Sequence, residues 1–175
     1  MKILFSISLT TAILSAVWAW LANSLGLIGW AGFLGCTAYF AYPKEGIKGL
    51  FITFFTTASG VAWGLIMLHS DTLFNGIPNL LEYLITGIVA FMMCIQARQQ
   101  WLSYIPGTFI GACALFASQG EWTAALPSLL VGVLFGYLMK KSGLWLSEKL
   151  KWHFNFTGLP FYHDIDQLVV LIFYK

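Results

Sequence analysis

The chain has 175 residues, of which 59% are hydrophobic and only 9% charged, with a net charge of +2 and a mean hydropathy of +0.79. A soluble domain carries about 25% charged residues to keep its surface solvated, so this composition excludes a water-exposed globule and points to the bilayer as solvent. The length holds one compact bundle and no second soluble domain, and the basic residues sit at the ends of apolar runs rather than on a clustered face, which excludes a nucleic-acid partner.

Only a helix satisfies its own backbone in hydrocarbon, and about 20 apolar residues are needed to cross it. Taken in chain order, the apolar runs predict six transmembrane helices, at 3–21, 25–42, 49–68, 78–97, 101–118 and 122–139. The breaks between them are short: Ala22-Asn23-Ser24, Pro43 to Lys48, His69 onward, Arg98-Gln99-Gln100 and Gln119-Gly120-Glu121. Links this tight favour antiparallel neighbours. The expected fold class is all-α, a polytopic membrane helix bundle over residues 1–147, followed by a tail, 148–175, whose apolar stretch 168–174 is too short to span. The first run has a rival reading. Met1-Lys2, the apolar run after it and Ala16-Val17-Trp18-Ala19 resemble a signal peptide cut after Ala19; the retained span is favoured because tryptophans flank that cut and the run stays apolar to Leu21.

Orientation follows from Lys and Arg, which are held on the cytoplasmic side. Lys2 precedes the first span, Lys44 and Lys48 lie in the second link, Arg98 in the fourth, and Lys140, Lys141, Lys149 and Lys151 follow the sixth, while the first, third and fifth links carry no basic residue. This alternation places both termini in the cytoplasm. Trp20, Trp30 and Trp122 fall near outer span ends and Trp101 and Trp145 near inner ends, where indole rings favour the headgroup zone.

The two halves echo each other. Gly35-Cys36-Thr37-Ala38-Tyr39-Phe40-Ala41 of the second span matches Gly111-Ala112-Cys113-Ala114-Leu115-Phe116-Ala117 of the fifth at four of seven positions. Gly60-Val61-Ala62-Trp63-Gly64 of the third echoes Gly132-Val133-Leu134-Phe135-Gly136 of the sixth, and Thr11-Ala12-Ile13 of the first echoes Thr86-Gly87-Ile88 of the fourth. Three helices make an odd number of crossings, so a second copy inserts upside down. The expectation is two inverted three-helix repeats, a plan in which a pathway forms between the halves.

Helices in lipid associate by close backbone approach through small residues. GxxxG pairs occur at Gly60 and Gly64, Gly107 and Gly111, and Gly132 and Gly136, while Gly32 and Gly35 belong to a small-residue series that winds around the second span and suits a central helix. These glycines are read as helix contacts. Ser8, Ala12, Ser15 and Ala19 form a similar stripe on the first span. Glu82 is the acid placed within a span, and a carboxylate there is costly and a candidate for function. With Thr86 on the same face, and with Thr53 and Thr57 on one face of the third span, it makes the set of pathway candidates.

No Ser/His/Asp set, paired carboxylates or His-rich cluster lies inside the spans, and Cys36, Cys94 and Cys113 show no metal-ligand spacing, so neither catalysis nor a cofactor nor a metal is expected. Trp30 to Ala41, Ile85 to Phe91, Pro106 to Ala114 and Phe135-Gly136-Tyr137 resemble the YcdZ-type inner-membrane proteins of enteric bacteria, a family without assigned chemistry. The resemblance covers about residues 1–147 and implies a bacterial inner-membrane address; it carries over no functional residues, and the tail departs from the polar ending it implies. Two functions are expected from these readings: a small-solute channel or transporter with its pathway between the halves, or a non-transporting component that packs against itself as a homo-oligomer, or against a partner, through glycine-rich faces.

Overall fold

The computed structural model describes residues 2–44, 46–73 and 79–150. Among these it is all helical, with α1 Lys2–Leu25, α2 Gly29–Phe40, α3 Ile47–Leu73, α4 Asn79–Ile95, α5 Ile105–Ala117 and α6 Trp122–Leu150, and two 3-10 turns, Gln96–Arg98 and Gln100–Leu102, between α4 and α5. From residue 151 on, the expected tail lies outside the described residues.

The molecule is inside out relative to a water-soluble protein. Thr53, Thr56, Thr57, Thr108, Ser6 and Ser128 are fully buried, while Phe5, Ile13, Trp20, Phe55, Ile88, Phe91 and Trp122 are exposed. Apolar surface this extensive is not tolerated against water by a monomer. It suits contact with lipid.

Helix lengths differ in a way the apolar runs do not foretell. α1, α3 and α6 have 24, 27 and 29 residues and are long and apolar enough to cross a membrane. α2 and α5 have only 12 and 13 residues, about 18 and 20 Å at 1.5 Å per residue against about 30 Å of hydrocarbon. Backbone chemistry sets these limits. Gly26 takes a left-handed φ of +67° and Leu27 N–H returns to the Ala22 carbonyl at 2.9 Å, a Schellman end that stops α1. Pro106 sits in the first turn of α5; lacking an N–H, it cannot bond the Leu102 carbonyl, so α5 does not extend back over 101–104. Gly120, at φ +87°, ends the link after α5 with its N–H on the Leu115 carbonyl.

Short links do not dictate the main interfaces. α2 packs most extensively on α6, and α5 on α3, both pairs distant in sequence. In each pair the chains run parallel: Gly32 meets Gly132 and Cys36 meets Gly136, while Gly60 meets Thr108 and Gly64 meets Ala112. Glycine on both partners lets the backbones touch, and that closeness outweighs chain proximity. The helices sort into two units. One holds α1, α2 and α6 around Trp18, Ala22, Cys36, Phe135 and Met139; the other holds α3, α4 and α5 around Val89, Met93 and Ala112. Between them lies an apolar seam of Val61, Ala114, Leu115 and Leu129, flanked by Leu34, Leu65 and Leu68.

Contacts in one unit reappear in the other. A side chain at Gly35 would strike the Leu129 carbonyl, and one at Gly111 the Thr57 carbonyl. One at Gly132 would strike the Gly32 carbonyl, and one at Gly60 the Thr108 carbonyl. At Gly136 it would stand 2.9 Å from Cα of Cys36, and at Gly64 it would stand 3.4 Å from Cα of Ala112. The match follows a nearly constant offset in residue number.

Candidate functional site

A set of polar side chains linked to one another lies in the unit of α3, α4 and α5. Gln96 opens the first 3-10 turn at the end of α4 and reaches between α3 and α5. Its Oε1 accepts from Trp63 Nε1 at 2.9 Å, and its Nε2 donates to Thr108 Oγ1 at 2.9 Å and to Ser59 Oγ at 3.2 Å. Ser59 Oγ lies 2.8 Å from the Thr56 carbonyl. Three helices are thus tied through one amide whose two donors are both used. In lipid such bonds contribute about 0.6 kcal/mol on average, because partners are scarce but the separated helices find some too.

Thr53, Thr56 and Thr57 line the same helix toward its N-terminus. Thr53 donates to the Gly49 carbonyl and Thr57 to the Thr53 carbonyl, each at 2.9 Å, and Thr56 donates to the Ile52 carbonyl at 2.8 Å. All three are fully buried. Their hydroxyls are therefore spent on their own helix, and Thr56 Oγ1 would stand 2.6 Å from a Cβ at Gly107, so α5 covers this stripe tightly. Thr86 is exposed on α4, away from the buried Thr53 and Thr57. Glu82 belongs to α4, and its side chain is outside the described residues.

The glycines read as helix contacts occupy two interfaces. Gly32, Gly35, Gly132 and Gly136 lie between α2 and α6 (Gly32 also under the Trp18 indole), and Gly60, Gly64, Gly107 and Gly111 between α3 and α5. Gly143 adds a third, where a Cβ would come 2.7 Å from Cα of Ile7 on α1.

A second polar feature is Lys140. The apolar run ends at Met139, but α6 continues for three further turns, so Lys140 lies on the helix with 3% of its surface exposed. Gly136 on the turn before packs on α2 and Gly143 on the turn after packs on α1, so the lysine falls between two packed faces. Lys141 points the other way, exposed, with Nζ 3.0 Å from the Tyr137 hydroxyl and 5.3 Å from its ring centre. In the unit of α1, α2 and α6, Ser128 Oγ accepts from the Ile28 N–H at 2.8 Å and Trp18 Nε1 donates to the Gly29 carbonyl at 2.9 Å, while the buried Ser6 and Thr11 hydroxyls find no protein partner among the described residues.

Gln96 carries no signal of this role in the sequence, and Lys140, expected just beyond the sixth span, lies instead within α6 and buried. The available clue to the first is Trp63, an indole N–H in mid-span that needs an acceptor; the clue to the second is that positive charge does not stop a helix. No group of three His, Cys, Asp or Glu comes together among the described residues.

Comparisons with known proteins point to the inner membrane. Residues 8–144 match the family model described as Protein of unknown function (DUF1097). The chain is 57% identical over 153 residues to "Inner membrane protein YcdZ" of Salmonella typhimurium (strain LT2), covering 87% of this chain and 95% of the relative. It is 58% identical over 149 residues to "Inner membrane protein YcdZ" of Escherichia coli (strain K12), covering 85% and 91%. "Uncharacterized protein YahC" of Escherichia coli (strain K12) is 26% identical over 149 residues, covering 79% and 90%. No solved structure matches the chain.

Proposed function

The chain belongs to the DUF1097 family, and from that premise we propose that it is an inner-membrane protein of six crossings, built as two inverted three-helix repeats, that passes a small uncharged solute along the seam between its two packing units. That it is a helical inner-membrane protein rests on its apolar helices and its close relatives. The inverted arrangement is supported by one observation above all: α2 lies on α6 through the same glycine-to-carbonyl contacts by which α5 lies on α3. Directions agree with alternating crossings, since α2 and α6 would run inward together and α3 and α5 outward together. α1 runs against α6, with Ile7 at Gly143 and the Thr10 hydroxyl 3.1 Å from the Met139 carbonyl. The short α2 and α5 leave the rest of each crossing to the links that flank them.

In inverted-repeat proteins one unit rocks against the other around a site near the midplane. The seam of Val61, Leu115 and Leu129 offers no charge to an ion, which favours a neutral solute. Thr53 and Thr57 meet solute only if α5 lifts from α3, and Glu82 and Thr86 stand on α4 at its outer half. The test is a flux assay in liposomes with small neutral solutes and monovalent ions beside a channel of known activity. Neutral-solute flux above protein-free vesicles, without ion flux, is expected; no flux for any solute rejects the reading.

A second reading has its own observation. Ser8, Ala12 and Ala19 of α1 are exposed and Ser15 half-buried, a small-residue face turned outward, as a non-transporting component that associates with a second copy would carry. Failure of the flux assay together with cross-linking between α1 helices selects it.

A further inference from the structure

The geometry points to a seat for one anionic phospholipid in the open groove between α3 and the 3-10 turns that follow α4, with Arg98 holding the phosphate and Phe55, Trp101 and Leu102 carrying the glycerol and acyl chain. Phe55, Gln99, Trp101 and Leu102 line this groove. Trp101 and Phe55 meet edge to face at 6.0 Å, yet remain 60% and 45% exposed, so the groove is open outward.

Depth makes the arginine unusual. Gln96 is anchored beside Ser59 and Trp63, and Trp101 beside Phe55, so Arg98 lies along α3 between the levels of Phe55 and Ser59. At 1.5 Å per residue that is about 10 to 16 Å further along the helix than Lys48. Between those levels and Lys48 sits exposed Phe51, an apolar ring that marks the lipid side of the boundary. Arg98 itself is exposed, and among the described residues no carboxylate pairs with it. A guanidinium at this depth is costly unless it meets an anion or thins the bilayer. Its planar donors match a phosphate in two-point fashion, and exposed Gln99 and Gln100 beside it add amide donors. Lys44 and Lys48, exposed about the N-terminal end of α3, extend the positive field that draws acidic headgroups. Charge thus chooses the occupant: an anionic lipid rather than a zwitterionic one. The inference rests on membrane embedding and stands whether or not a solute moves.

The test titrates detergent-purified full-length chain with dioleoylphosphatidylglycerol, and separately with dioleoylphosphatidylcholine and inorganic phosphate, reading retained lipid by native mass spectrometry. One phosphatidylglycerol per chain is expected at saturation, with phosphatidylcholine and free phosphate failing to occupy the site. Arg98→Gln should weaken binding at least about tenfold, the scale of one charge-assisted contact, Arg98→Lys should recover part of it, and Lys48→Gln should leave it nearly unchanged. Trp101→Ala gives a second variant that keeps the charge and should also weaken binding. Equal affinity of Arg98→Gln and the parent chain, or equal retention of the two lipids, overturns the proposal; loss of binding in Lys48→Gln as large as in Arg98→Gln reduces it to general electrostatics and overturns it too.

Discussion

Gly132→Leu is expected to unfold the chain's main interface, with a loss of stability of about 3 kcal/mol or more in SDS titration from mild detergent. Gly132 and Gly32 put their backbones in direct contact, and any side chain at 132 meets the Gly32 carbonyl and stands 2.6 Å from its Cα. The neighbour is main chain, so no rotamer change relieves the collision. Overpacking a well-filled core costs about 1–3 kcal/mol where side chains can shift, and here they cannot. The Cys36 thiol, 3.2 Å from the Gly132 carbonyl, would be displaced with it. Gly60→Leu should cost a similar amount, because Gly60 meets the Thr108 carbonyl in the corresponding place. Gly87→Leu is the control: nothing stands within 4 Å of a Cβ there, and it should be close to neutral. A Gly132→Leu chain as stable as the parent would show that α2 and α6 do not pack as described.

Trp18→Ala is expected to be the most damaging large-to-small change, again about 3 kcal/mol. The indole is fully buried, lies over Gly32, stacks edge to face on Phe135 at 5.5 Å, and gives its N–H to the Gly29 carbonyl at 2.9 Å. It joins α1, the start of α2 and the middle of α6 in one residue. Gly32 is small because the ring occupies the space a side chain would take. Two variants separate the contributions. Trp18→Phe keeps most of the volume and loses the hydrogen bond, so it should cost about 1 kcal/mol, well short of the alanine change. If both variants lose the same stability, the bond to Gly29 and not the packing holds α1 in place.

Much of this arrangement was legible in the sequence, and the limits are physical. Every described α-helix overlaps one of the apolar runs. They overstated α2 and α5, since Gly26 and Pro106 act through backbone geometry that hydropathy does not weigh. The echo between Gly35 and Gly111, and between Gly60 and Gly132, reappears as matched contacts. Partner choice was not legible: short links suggest neighbours in sequence, whereas α2 sits on α6 and α5 on α3 because glycine surfaces on both sides fit. The Gln96 amide was hidden for a related reason. It lies at the end of an apolar run beside Arg98, where a polar residue ordinarily marks water, and only the irregular path after α4 brings it to Trp63 and Thr108. Lys140 shows the converse, a charge that hydropathy treats as the end of a span while the helix carries it on into a packed interior.

Impermeant-thiol labelling of single-cysteine chains in intact cells, with Cys36, Cys94 and Cys113 replaced by alanine, tests the six-crossing inverted arrangement most directly. Cysteines at Ser24, His69 and Gln119 should label from outside, and those at Lys44, Ser103 and Lys149 only after the membrane is opened. External labelling at Lys44 or Ser103, or protection of Gln119, would contradict it, because α2 and α6, or α3 and α5, could then no longer cross in the same direction.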